Sequence, residues 1–250
     1  KPLEELSDEL KKADYGERIH AILQTFHNGH HKYGKPFQQP INDANRQQAQ
    51  DYLSTISENI FLADLEDNVL HRSWLYRWKK HIPAYIAWQI RHQQDWDIYL
   101  SEEHIEAPLS DPGEMDMTPA ITLYGRLDRI DINREDGTHA IIDYKTGRTA
   151  DQQDIDEGEN VQLSTYALLD NRASTVNYLS LDSSEHRVDV KSSLSGDELE
   201  SNREKNRQRL CEIFRQLSDQ ASLPAWGDDS VCRYCNFSGL CRKPAWSESQ

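Results

Sequence analysis

The sequence predicts a mixed α/β (α+β) protein: a central sheet flanked by helices, with an N-terminal helical region and a cysteine-rich C-terminal tail. Three observations predict it. Apolar residues recur at helical spacing through most of the first 95 residues, and from residue 97 the period changes to strand-like alternation. Asp136-Gly137 sits between two strand-like runs as a hairpin signal. The element order is helices, three strands, helix, two strands, helix and tail, which suits a sheet that buries its faces under helices.

Each element has its own warrant. Residues 14–28 carry Ile19, Ile22, Leu23 and Phe26 at helical spacing, and Gly29, Gly34, Pro36 and Pro40 then break the chain into a loop over 29–42. Residues 43–62 and 67–94 read as two long helices. Pro83 is expected to kink or divide the second. Its aromatic set (Trp74, Tyr76, Trp78, Tyr85, Trp88) reads as helix packing rather than as a base-stacking surface. Residues 97–109 form a strand with Ile98 and Leu100 on one face, and 110–119 form a loop. Strands 120–132 and 139–146 flank the Asp136-Gly137 turn. An acidic loop (150–159), a short helix (160–171), a second hairpin (175–182 and 186–191) and a charged amphipathic helix (196–221) follow. The domain reading is an N-terminal helical part (1–95), a core (96–221) and a tail (222–250), integrated into one domain. The chain starts with Lys rather than Met, and is expected to be cut from a longer polypeptide.

Composition narrows the function. The chain has 28 basic and 43 acidic residues, a net charge of −15. Bulk attraction to nucleic acid is excluded, so any such affinity is local or comes from attached domains or partners. No apolar run approaches the ~18 residues of a membrane span. The start, KPLEELSDELKK, lacks the apolar segment of a signal peptide. Three of the four cysteines, Cys232, Cys235 and Cys241, cluster in the tail, which favours a metal or cluster site over a disulfide framework.

The stretch HAIIDYKTGRT (139–149) places Asp143 and Lys145 at the end of an apolar strand. If the preceding turn is centred between Glu135 and Asp136, Asp128 lies across from Asp143. If Asp136-Gly137 forms the two-residue turn, Asp128 lies across from Lys145. Either register puts Asp128, Asp143 and Lys145 on one face, because strand side chains alternate. An ion pair accounts for Asp128 and Lys145 and leaves Asp143 unexplained. Two carboxylates on a partly buried face are costly without a cation, and hard oxygen ligands suit Mg²⁺ or Mn²⁺. The hairpin alone supports metal chemistry and an ion pair equally.

Asp128 with Asp143-Tyr144-Lys145 resembles the signature of the PD-(D/E)XK nucleases. GRLDRID (125–131) and IIDYKTG (141–147) are similar to the RecB-type exonuclease motifs, Gln162-x3-Tyr166 to that branch's QxxxY motif, and YGERIHAIL (15–23) to its helical histidine motif. CRYCNFSGLC (232–241) resembles the tail of its iron–sulfur members, the AddB-like and CRISPR-associated RecB-like nuclease domains. The resemblance covers about residues 14–243. It implies a restriction-endonuclease-like sheet and a divalent-metal-dependent DNA exonuclease acting on single-stranded DNA ends in recombination and repair. It further implies a helicase partner and a cytoplasmic, nucleoid-associated location.

By the same resemblance, His20, Asp128, Asp143 and the backbone carbonyl of Tyr144 hold the metal, and Lys145 is the catalytic lysine. Gln162 and Tyr166, one helical turn apart, face the active site and the DNA backbone. Glu102 or Glu103 is a further carboxylate candidate, though surface charge explains either. Arg126, Arg129 and Arg148 are candidate phosphate contacts, with Arg129 alternating away from the face of Asp128. A [4Fe–4S] cluster needs four thiolates. The family's fourth cysteine lies upstream of the histidine motif, and residues 1–210 hold no cysteine. Three accounts stand: the chain begins after that cysteine, so that the cluster belongs to the full-length protein; Cys211 serves instead; or Cys211, Cys232, Cys235 and Cys241 bind zinc. Two other readings remain: a non-catalytic DNA-end-binding module on a nuclease-like fold, and a zinc-bearing interaction domain.

Overall fold

A computed structural model of the chain describes residues 12–65, 69–109, 121–181, 184–220, 232, 235 and 237–241. It opens with three helices: α1 (Lys12–Asn28), α2 (Arg46–Leu65) and α3 (Val69–His92). Two antiparallel partners follow, β1 (Trp96–Pro108) and β2 (Thr122–Asn133), then β3 (His139–Lys145). A crossover through α4 (Gln152–Asp156) and α5 (Gln162–Leu169) leads to β4 (Ala173–Ser180), which lies parallel to β3. The chain continues with β5 (Asp189–Ser195), α6 (Gly196–Ser218) and α7 (Ser238–Cys241). The strands form one five-stranded mixed sheet in the order β1-β2-β3-β4-β5. The mixed sheet with flanking helices expected from the sequence is therefore the observed architecture.

The chain divides into two compact units, one holding residues 10–208 and the other the residues from 209 onward. In the first, the sheet is buried on both faces. Ile19, Leu23 and Phe26 of α1, Leu53 of α2 and Trp78, Tyr85 and Ile86 of α3 form a core with Ile142 and Tyr144 of β3. On the other face, Leu163 and Ala167 of α5 and Leu199 of α6 pack with Ile130 of β2, Ile141 of β3 and Val176 of β4. The alternation of β3 thus sends Ile142 and Tyr144 to one layer and Ile141 to the other, so that residues 140–142 form a continuous apolar run. The aromatics of α3 mostly pack inward, Trp78 donating to Ser57 Oγ at 2.9 Å, and Tyr76 alone of the set is well exposed.

Several boundaries differ from the sequence reading. Helix α3 runs undivided through Pro83, which is exposed. The acidic loop contains α4, anchored by Ile155, which is 1% exposed. Strand β5 starts three residues later than expected and extends to Ser195, because pairing with β4 overrides the weak strand preference of Ser192, Ser193 and Ser195. The hairpin takes the first of the two registers considered: Arg129 opposes Ile142, and Asn133 N–H bonds Thr138 O at 2.8 Å around a four-residue turn. The expected loop at 110–119 and most of the 222–250 tail lie outside the described residues.

Candidate active site

The C-terminal end of β3 is where the charged residues meet. Asp128 on β2 receives the Tyr144 backbone N–H on Oδ2 at 2.7 Å, which continues the hairpin through a side chain. Its Oδ1 faces His20 Nδ1 at 3.3 Å. The same nitrogen faces Glu102 Oε1 at 3.1 Å, and His20 Nε2 lies 3.2 Å from the Tyr144 carbonyl oxygen. Helix α1 therefore delivers its histidine onto the main chain of the residue between Asp143 and Lys145. His20, Glu102 and Asp128 each offer a ligand atom within 4.8 Å of the others.

Glu102 is the residue that strand periodicity could not assign. The ladder runs in one register on both sides of it, Ser101 opposite Arg129 and Glu103 opposite Leu127. Yet Glu102 has φ 57, a left-handed conformation that costs a non-glycine residue roughly 1–3 kcal/mol. Its side chain is 4% exposed and pairs with Arg126 Nε at 2.9 Å as well as with His20. The twist of a single residue thus turns a strand glutamate into the site, and only a backbone dihedral reports it.

Asp143 lies on the neighbouring side of Asp128. Its Oδ2 pairs with Lys145 Nζ at 2.6 Å, and its Oδ1 accepts from Gln162 Nε2 at 3.1 Å and Tyr166 OH at 3.2 Å. Gln162 also accepts from Lys145 Nζ at 3.0 Å and Tyr178 OH at 3.0 Å. Gln162 and Tyr166 share a face of α5 and bond each other at 2.7 Å. Helix α5 sits tightly on the sheet because residue 125 is glycine: a Cβ there would stand 2.8 Å from Leu169 Cδ1. Asp143 is pushed up to about 6 by burial and by the Asp128 charge, with Lys145 opposing.

The three arginines separate. Arg126 lies at the site, paired with Glu102, and Arg148 is 88% exposed beside Asp151. Arg129 cannot contact phosphate, because it is fully buried under α3. It holds Asp131 with two bonds of 2.7 Å, donates to Gln89 at 2.8 Å, and reaches the hydroxyls of Tyr85 and Tyr144 at 3.4 Å each. His92 closes the network on Asp131 at 2.7 Å. Strand alternation turned Arg129 away from Asp128, as expected. That a helix covers the other face at that point is a long-range fact.

The cysteines belong to the other unit. None is in a disulfide; Cys211 is buried on α6, Cys232 is half-buried, and Cys235 and Cys241 are exposed. Cys235 N–H bonds Cys232 O at 3.0 Å, and Phe237 N–H points at Cys235 Sγ at 3.4 Å.

The sequence model of the PD-(D/E)XK nuclease superfamily matches residues 2–242. The chain belongs to that superfamily. Its five-stranded mixed sheet with flanking helices is consistent with the restriction-endonuclease-like PD-(D/E)XK fold. Two curated relatives are uncharacterised proteins: RC0550 of Rickettsia conorii, 26% identical over 70% of this chain and 20% of that protein, and one of Rickettsia felis, 25% identical over 65% and 17%. The PD-(D/E)XK chain thus spans about a fifth of the length of these relatives. The solved structure of SSO0001 aligns over 72% of this chain and 78% of that one, at 19% identity and a TM-score of 0.33.

Members of the superfamily generally use Mg²⁺ or Mn²⁺, and the donor set of this PD-(D/E)XK chain fits such an ion. Burial disfavours a charged His20, but its hydrogen bonds and charge attraction to Asp128 and Glu102 outweigh that and hold the imidazolium up to about 10. Two carboxylates that retain a proton so firmly between them make a cation site. A raised histidine pKa stabilises the fold below the unfolded value of ~6.5, and that contribution is lost as pH rises through about 10. The chelator-treated protein is therefore expected to lose stability between these limits, while Mn²⁺ affinity rises over the same window as the competing proton leaves. Urea melts in EDTA and Mn²⁺ titrations at pH 6, 8 and 10 check both, and His20→Gln should flatten the pH dependence of the melts.

Proposed function

We propose that this chain is a divalent-metal-dependent nuclease domain that hydrolyses phosphodiester bonds in DNA. The observation that carries the reading is the meeting of His20, Glu102 and Asp128 beside the Asp143–Lys145 pair. His20, Glu102, Asp128, Asp143 and the Tyr144 carbonyl are the groups to hold the ion, and the imidazole leans the choice toward Mn²⁺. When bound, the ion supplies Lewis acidity to the scissile phosphate and lowers the pKa of an attacking water. Lys145, fixed between Asp143 and Gln162, aims its ammonium at the charge that develops on the phosphate, or orients the water. Gln162 and Tyr166 keep the Asp143 carboxylate facing Lys145 and help position the strand.

The finer reading is an exonuclease of the RecB type, acting on single-stranded ends in recombination and repair with a helicase segment or subunit, in the cytoplasm on the nucleoid. The net charge of −15 supports it, since a motor would hold the DNA that so acidic a domain repels in bulk. Among the described residues no helix is long and apolar enough to cross a membrane. Cys232, Cys235 and Cys241 are proposed as cluster or zinc ligands, with the fourth from an upstream cysteine or Cys211. The Phe237 N–H aimed at Cys235 Sγ supports this, because such bonds stabilise thiolates.

The test is cleavage of a 5′-labelled single strand in Mg²⁺, Mn²⁺ and EDTA. Metal-dependent release of short products from one end is the expected result. Scattered internal products would remove the exonuclease reading, and no cleavage in either metal would remove the nuclease reading. Iron, sulfide and zinc analysis of the longest polypeptide that can be expressed decides the cysteine ligands.

A further inference from the structure

Between Glu17 and Asp43 this acidic chain has no acidic residue at all. The same segment carries the part of α1 that holds His20, and the loop that follows it. We propose, resting on the nuclease reading, that the loop from Gly29 to Asn42 is a single-strand binding subsite. In it Lys32 and Lys35 hold phosphates and a pocket lined by Phe37, Tyr52 and three glutamines takes a nucleobase.

The loop is built, not slack. His30 and Gly34 bond each other reciprocally, Gly34 N–H to His30 O at 3.0 Å and His30 N–H to Gly34 O at 2.7 Å. Phe37 N–H bonds Phe26 O at 2.9 Å, and Tyr52 OH bonds Lys35 O at 2.6 Å. Two glycines make the path possible. Gly29 has φ 80 and Gly34 φ 149, and a Cβ on Gly29 would stand 2.7 Å from Pro36 Cδ. This framework holds Lys32 and Lys35 out in solvent, Lys32 lying 5.2 Å over the Tyr33 ring. Fixing exposed lysines in place lowers the ordering cost of gripping a flexible polyanion.

Beside them lies a cavity of about 330 Å³ lined by Pro36, Phe37, Gln38, Gln39, Gln48 and Tyr52. Aromatic rings offer faces for stacking, and glutamine amides both donate and accept as base edges require. The loop follows directly on α1, the helix that carries His20. A second cavity of about 630 Å³ is lined by Gly16, His20, Ala21, Gln24, Glu102 and Arg126, among others. Asn28, at the end of the same helix, reaches Ser101 O beside Glu102 at 3.5 Å. Positive charge, an aromatic and amide-lined pocket, and a second cavity at the metal ligands on the same helix match a single nucleic-acid strand. An acidic peptide would use the lysines and leave the amide-rimmed pocket without a role.

Fluorescence anisotropy in Ca²⁺ with a labelled oligonucleotide, across a salt series, tests the subsite. Lys32→Ala with Lys35→Ala should flatten the log–log salt slope by ~1.4, two single-strand phosphate contacts at ~0.7 each. Gln39→Ala with Gln48→Ala should weaken binding of the normal strand and leave an abasic strand unaffected. Turnover of bis(p-nitrophenyl) phosphate, too small to span from site to loop, should stay at the wild-type rate in both variants. An unchanged slope overturns the subsite. So does a lysine-dependent affinity for polyglutamate that exceeds the affinity for the strand. If the wild type hydrolyses no diester yet the slope flattens, the nuclease reading fails and the subsite stands.

Discussion

Asp143→Asn is expected to lower metal-dependent cleavage by ~10²–10³-fold or more, the usual cost of removing one preorganised charged group from a transition state. The substitution leaves Tyr166 OH and Gln162 with a neutral partner and frees Lys145 from its 2.6 Å ion pair. Lys145→Met should cost as much for the complementary reason: the carboxylate, 4% exposed, loses its cation beside Asp128 and takes up a proton at a higher pH. Because the two side chains act as one device, the double variant should be little worse than either single one. Single-turnover cleavage of a labelled strand in Mn²⁺ measures this, with thermal melts showing that each variant folds. Activity within error of wild type in either single variant would sink the assignment of the Asp143–Lys145 pair.

Arg129→Met is expected to be the most damaging substitution for the fold. It leaves Asp131 fully buried and charged, its carboxyl held low in the wild type because Arg129 and His92 outweigh the opposing effect of burial. Breaking a buried pair from one side costs roughly 3–5 kcal/mol, and the surviving His92 bond of 2.7 Å puts this case near the lower end. At ~2–4 °C per kcal/mol for a chain of this size, Tm should fall by ~6–12 °C. Arg129→Met with Asp131→Leu should recover most of that loss, since no lone charge remains inside. A lone Arg129→Met that melts with the wild type would mean that the pair contributes nothing.

Much of the fold was legible because its signals are local. The switch of period at residue 97, the Asp136-Gly137 turn and the apolar run of 140–142 each concern neighbours in sequence. They place the hairpin within one of two registers, and both bring Asp128 to the face of Asp143 and Lys145. Gln162 and Tyr166 were legible as one face of a helix for the same reason. Glu102 was not, because its aim depends on a φ of 57 in the middle of a strand. Arg129 was not, because nothing near it in sequence says that Tyr85 and Gln89 of α3 cover it. Pro83 does not divide α3, and its ring lies on the exposed side of the helix.

Tyr144 acts three times, twice at the site through its main chain and once behind it through its side chain. Its amide holds Asp128, its carbonyl meets His20, and its hydroxyl joins the Arg129 network. A scan that replaces side chains one by one would register the third role and pass over the other two, since every amino acid but proline brings the same amide and carbonyl. Measured that way, position 144 would look like a core position and nothing more. Exchanging the 144–145 peptide linkage for an ester, which weakens the carbonyl as an acceptor and leaves every side chain in place, is the kind of edit that would reveal how much of this centre is written in main chain.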